Sequence, residues 1–249
     1  IYYASKANGA IATGEVYVSA DDANGLVDPG KCYFGEDGKL AAAGFVTLNG
    51  KLYYMAGGKV LKIGLFLLDG ETYFADPDTG ISYLYWGNGY MAGAELNNDM
   101  ISLKEGSVTL MTPKGGTLRD YAFREAPYVF KRNGLYYFLW SVDDTGSPNY
   151  HVAYGTSTSP LGPIEVAKEP VILIQRPEEE IYGPAHNSVL QIPGKDEWYI
   201  VYHRINKNYI ARDKGPGWHR ETCIDRMEFL PDGRIKPVVP THQGVKAIK

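Results

Sequence analysis

The stretch RDYAFREAPYVFKRNGLYYFLWS sets Glu125 just ahead of an apolar run, with Arg124 before it and Ala126-Pro127 after it. A carboxylate at the entrance of a strand can project into a shared cleft while the strand behind it fixes its position by packing. Such a group can hold or deliver a proton at a defined place. Most surface glutamates are solvated and do no chemistry, so Glu125 gains weight only from its company. His186, in Pro-Ala-His-Asn, is one companion, although a lone histidine is more often a hydrogen-bonded core residue. Trp86, Trp140 and Trp198 are others, because an indole face can pack on the C–H face of a sugar ring. Trp198 alternates with apolar neighbours in EWYIVY and reads as core, whereas Trp140, beside Ser141 and Asp143, reads as the better subsite candidate.

These side chains must be positioned by many short strands. The 249 residues are 44% hydrophobic and 22% charged, with 20 tyrosines and 29 glycines among short Val, Ile and Phe runs punctuated by Asn-Gly and Asp-Gly. That is the composition of strands joined by tight turns. A net charge of -4 lacks the basic excess that phosphate neutralisation needs, which argues against nucleic acid and anionic membranes. Cys32 and Cys223 lie far apart and predict two free, partly buried thiols rather than a disulfide or zinc site. No apolar run reaches the ~20 residues of a membrane-spanning helix. The chain opens on IYYASKANG rather than on a signal segment, and reads as an internal piece of a longer protein.

Two rhythms divide the chain. At a spacing of twenty, Gly30, Gly50 and Gly70 align, as do Tyr33-Phe34, Tyr53-Tyr54 and Tyr73-Phe74. A hairpin of that length cannot bury its own aromatic face, so units must stack. KCYFGEDGKLAAAGFVTLNGKLYYMAGGKV resembles the cell-wall-binding repeats of choline-binding and glucan-binding surface proteins, over about residues 1 to 80. The resemblance implies export to the cell surface, with Tyr33, Tyr53 and Tyr73 as stacking core. From residue 81 longer hairpins take over, around Asn133-Gly134, Gly194 and Asp232-Gly233. No segment has a sustained 3.6-residue apolar period. The expected fold is all-β: solenoid-like hairpin repeats over 1–80, then blade-like groups of strands over 81–249.

The residues that carry a second resemblance are YLYWGNGYMAGAELNNDMIS, the Arg-Glu-Ala-Pro segment, SPNYHVAYGTSTSPLGPI and GPAHNSVLQ with DEWYIVYHR. From about residue 76 onward this set resembles glycoside hydrolase family 43, which implies an incomplete β-propeller of the five-bladed type over 81–249. The resemblance implies an inverting enzyme that cleaves arabinofuranosides, xylosides or, in some branches, galactosides of plant or cell-wall polysaccharides, with no cofactor required. Glu125 matches the family's general acid. His186 matches an axial histidine that approaches substrate or, through water, a structural calcium. Arg204 and Arg226 fall where family members place cleft arginines. Arg226 follows Asp225 closely enough to suggest an ion pair, and Asp143 and Asp144 read equally as the start of a solvated loop.

The sequence departs from the family in its carboxylates. The base belongs to a first blade near the N-terminus, in a short Asp-Pro context, and no residue is matched to it. The aspartate that modulates the acid should stand four before Phe74, where Gly70 stands. Asp69 is the nearest candidate, one place off and also suited to an Asp-Gly turn, while Asp76 and Asp78 read as turn residues. Two other functions stay open at this point: a non-catalytic cell-wall binder, and a recombined fragment without evolved activity.

Overall fold

A computed structural model gives the structure of the chain and describes residues 2–4, 9–19, 30–41, 44–48, 51–56, 59–62, 64–68, 71–75, 81–97, 101–192, 195–209 and 219–246. Among these, every regular element is a strand except two three-residue 3₁₀ turns. The chain divides into two units, residues 1–83 with 95–105, and residues 84–94 with 106–249.

In the first unit, β1 (Gly14–Val18) pairs antiparallel with β2 (Gly30–Phe34). Val18, Cys32 and Phe34 form a small core there. Strands β3 (Gly44–Leu48), β4 (Lys51–Ala56) and β5 (Lys59–Lys62) make one sheet, and β6 (Gly64–Leu68) and β7 (Glu71–Ala75) another. The twenty-residue spacing appears as equal register: Leu48 faces Lys51 and Val46 faces Tyr53, as Leu68 faces Glu71 and Phe66 faces Tyr73. Packing of Tyr53 and Tyr73 lies outside the described side chains.

The second unit contains three antiparallel sheets. β8 (Tyr83–Trp86), β9 (Ala92–Glu95) and β10 (Thr109–Leu110) form the first. β11 (Glu125–Arg132), β12 (Leu135–Val142), β13 (His151–Ser157) and β14 (Glu165–Ile174) form the second in sequence order. β15 (Ala185–Gln191), β16 (Trp198–Ile205) and β17 (Arg220–Met227) form the third. The expected turn joins β11 to β12, with φ of 50° at Asn133 and 79° at Gly134. Two successive positive φ values match the right-handed twist of the flanking strands.

The sequence LYYFLWSV of β12 shows why these sheets stack. Successive side chains of a strand point to opposite faces. Tyr137 and Leu139 therefore enter one core with Phe130, Trp198, Ile200 and Met227, while Tyr136, Phe138, Trp140 and Val142 enter another with Met91 and Met111. A strand buried on both faces has no polar alternation. Each large side chain so buried contributes about 1.5–3 kcal/mol. Tyrosine suits these seams because its ring is apolar and its hydroxyl can reach a distant backbone. Tyr128 donates to the Val189 carbonyl at 2.8 Å, Tyr137 to that of Gly233 at 2.7 Å, and Tyr85 to that of Pro160 at 2.9 Å.

Candidate active site

β11 and β15, the first strands of their sheets, carry the same local irregularity. Along β11 the register moves from Glu125↔Ser141 to Tyr128↔Leu139, three residues against two. Along β15 it moves from Ala185↔His203 to Ser188↔Val201, again three against two. Each strand thus holds one extra residue, and each has a positive φ there, 57° at Ala126 and 49° at His186. A bulge of this kind re-aims the side chains beside it. Here the Oε1 atom of Glu125 comes to 3.5 Å from Nδ1 of His186, with the two side chains 31% and 54% exposed.

Ser141 joins the two bulges from below. It is fully buried, its carbonyl accepts from the Arg124 N–H at 2.9 Å, and its Oγ accepts from the His186 N–H at 3.0 Å. His203 lies beneath His186, ring centroids 5.9 Å apart, and stacks on Tyr150 at 5.7 Å. Burial, with Arg220 and His186 adding to it, pulls the His203 imidazole down to about 4, so it is neutral near pH 7. Burial also pushes the Tyr150 phenol up. His203 Nε2 meets no hydrogen-bond partner among the described residues. The arrangement offers an accessible carboxyl group beside an accessible imidazole, above an uncharged buried layer. It can deliver a proton to a ligand and hydrogen-bond it from the same side.

Other candidates sit differently. Trp86 is partly buried at the end of β8. Trp140 is 0% exposed and its Nε1 donates to the Tyr121 carbonyl at 2.9 Å, so it cannot present a face to a sugar; the subsite expectation is corrected by the two-sided burial of β12. Trp198, read as core, is 4% exposed. Arg204 is buried, with Nε 2.7 Å from Glu221 Oε1 and Nη1 donating to the Thr241 carbonyl at 2.9 Å, which makes it a structural group. Arg226 is exposed and approaches Glu228 at 3.8 Å. Its expected partner, Asp225, points to the opposite face, where the Tyr202 hydroxyl donates to it at 2.6 Å and the Thr241 hydroxyl at 2.6 Å. Neighbours along a strand cannot pair. Asp144 lies in an exposed loop with Arg124 Nε 3.1 Å from it, and Asp143 accepts from the Ser147 hydroxyl at 2.6 Å. Cys223 is a free thiol that burial pushes up to about 11. Asp69, Asp76 and Asp78 lie outside the described residues.

Sequence reasoning passed over Ser141, His203 and Tyr150, which carry no motif of their own. For a calcium ion, oxygen ligands numbering about six to eight are needed. Among the described residues no group of three or more His, Cys, Asp or Glu side chains converges, and His186 with Glu125 does not make such a cage.

Residues 1–235 match the family described as Glycosyl hydrolases family 43. The chain belongs to that family. Over 170 residues, 68% of this chain and 45% of the relative, it is 41% identical to a β-D-galactofuranosidase of Aspergillus niger. It is 29% identical to a xylosidase/arabinosidase of Thermoclostridium stercorarium over 60% of this chain and 32% of the relative. This family 43 chain thus spans less than half the length of these relatives. It also resembles the crystal structure of a thermostable family-43 glycoside hydrolase, with a TM-score of 0.58 and 26% identity over 87% of this chain and 72% of that one. Its sheets are accordingly of the family's β-propeller type. The family match begins at residue 1, well before residue 76, and so takes in the hairpins that resemble wall-binding repeats.

Proposed function

We propose that this family 43 chain is the acid-bearing part of an inverting glycosidase that removes terminal arabinofuranosyl, xylosyl or galactofuranosyl groups from oligosaccharides or plant polysaccharides. The observation that carries this is the accessible Glu125 carboxyl at its bulge, 3.5 Å from His186, in a chain of this family. The names of the two relatives bracket the sugar. α-L-Arabinofuranosides and β-D-galactofuranosides share a ring configuration and differ by one hydroxymethyl group, so one furanose pocket can serve both.

In this mechanism Glu125 protonates the leaving oxygen as the glycosidic bond breaks. A second carboxylate, ~6.5–9.5 Å away on the other side of the sugar, takes a proton from the attacking water. His186 hydrogen-bonds a substrate hydroxyl beside the acid. For the modulating carboxylate the sequence offers Asp69, and no residue is matched to the second one. The family match from residue 1 supports reading residues 1–80 as blade strands, in preference to an appended wall-binding module.

The test is turnover of aryl arabinofuranoside, galactofuranoside and xyloside by wild type and Glu125→Gln. We expect Glu125→Gln to lose ~10²- to 10⁴-fold on poor leaving groups and far less on activated ones. Equal loss on both leaving-group classes would remove Glu125 from the acid's role, and no turnover by wild type would sink the reading.

A further inference from the structure

Arg124 has more bonds than a residue that merely precedes the acid requires. Its N–H donates to the Ser141 carbonyl at 2.9 Å, and Ser141 is the residue paired with Glu125. Its own carbonyl accepts from the Gly89 N–H at 2.7 Å. The guanidinium Nε donates to Asp144 Oδ1 at 3.1 Å, and Nη1 donates to the side-chain oxygen of Asn88. One residue therefore ties three segments together: the Gly87–Tyr90 turn between β8 and β9, the segment after β12, and the start of β11. The turn is closely specified in itself, since Gly87 has φ of +143° and a Cβ there would lie 1.7 Å from the Tyr90 carbonyl oxygen.

We propose that Arg124 is a positioning residue, which acts through Asn88 and Asp144 to hold the entrance of β11, and with it the Glu125 carboxyl, in the geometry for proton transfer. The proposal rests on the reading of Glu125 as general acid. A planar guanidinium suits this role because its donors diverge in fixed directions, so it can hold two segments at once. An ammonium at the end of a flexible stem cannot reproduce that geometry. The ion pair with Asp144 is itself largely exposed, at 34% and 66%, and surface pairs add little to stability. The effect of Arg124 is therefore on placement rather than on global folding. A small misplacement of a reacting group is costly to rate.

The experiment is a double-mutant cycle on the whole chain, read with aryl furanosides of poor and good leaving ability. Arg124→Ala should lower kcat/KM on the poor leaving group by ~10- to 100-fold, mostly in kcat, and change the good one little. In a Glu125→Gln background the same substitution should have almost no further effect, because the group it positions has lost its proton. Arg124→Lys should recover only part of the loss, and Asn88→Ala combined with Arg124→Ala should cost no more than Arg124→Ala alone. Losses that are equal for both leaving groups, or that persist in the Glu125→Gln background, would assign Arg124 a purely structural role and overturn the proposal. If wild type itself gives no turnover, the acid reading fails separately. Amide exchange then decides the tie: residues 87–90 should exchange faster in Arg124→Ala, and unchanged protection would overturn it.

Discussion

Glu125 and His186 stand 61 positions apart in the chain and 3.5 Å apart in space because β11 and β15 each accommodate one extra residue. The two bulges share a support, the fully buried Ser141, which is paired with Glu125 and accepts a hydrogen bond from the His186 backbone. The site is a property of three strands together.

Ser141→Ala should therefore weaken the site and the fold at once. Removing Oγ leaves the His186 N–H without its acceptor in a partly buried place, a cost of about 1 kcal/mol. Chemical denaturation should show that loss with an unchanged m-value, and KM should rise because His186 is no longer fixed. Ser141→Thr, which keeps the oxygen, tests whether the acceptor or the small volume matters.

Ala126 holds a φ of 57°, where a β-branched side chain is badly strained. Ala126→Val should lower stability by about 1–3 kcal/mol and move Glu125, so that kcat falls more than the stability loss explains. Ala126→Gly should be near neutral in stability. An Ala126→Val protein as stable as wild type would mean that the backbone at this bulge differs from the one described.

Trp140 and Arg204 separate structural from binding roles. Trp140→Ala opens a cavity and should cost about 3–5 kcal/mol. Arg204→Ala leaves Glu221 with Asn206 as its remaining side-chain partner and should cost less than the ~3–5 kcal/mol of a fully buried pair. Per folded molecule, measured at low temperature, neither should change KM for an aryl glycoside. A specific rise in KM would return either residue to the sugar site.

Acid should destabilise the protein in two windows. The His203 pKa is about 4 in the folded chain against an ordinary 6.5, so the unfolded chain takes up its proton first as pH falls. This contribution is present above pH 6.5 and is lost between 6.5 and 4, at no more than about 1.4 kcal/mol per pH unit. Asp196, held by Arg132 through Nε at 2.8 Å and Nη2 at 2.6 Å, is lowered to about 2 from 3.8. Its contribution is present above pH 3.8 and fades toward 2. Urea titrations from pH 7 to 2 should show His203→Gln flattening the upper window alone and Asp196→Asn the lower.

The all-β character, the Asn133-Gly134 hairpin and the prominence of Glu125 could be read from residue type and local spacing, because turns and strand alternation are set within a few neighbours. The family's later motifs were equally legible. What failed was anything that depends on which face a strand buries. LYYFLWSV is apolar at both parities, so Trp140 sits inside, and the Asp225-Arg226 neighbours point to opposite sides of one strand.

Local pattern also could not announce the bulges, since REAPY and PAHNS look like uninterrupted strand entrances. The extra residue in each is tolerated because Ser141, 45 positions from His186, stands ready to accept its N–H. The sequence by itself determined the strands, their turns and the family motif in which Glu125 stands. Only the tertiary structure decided what that carboxyl faces, because opposing residues on neighbouring sheets are chosen by packing across large sequence separations rather than by the chain on either side.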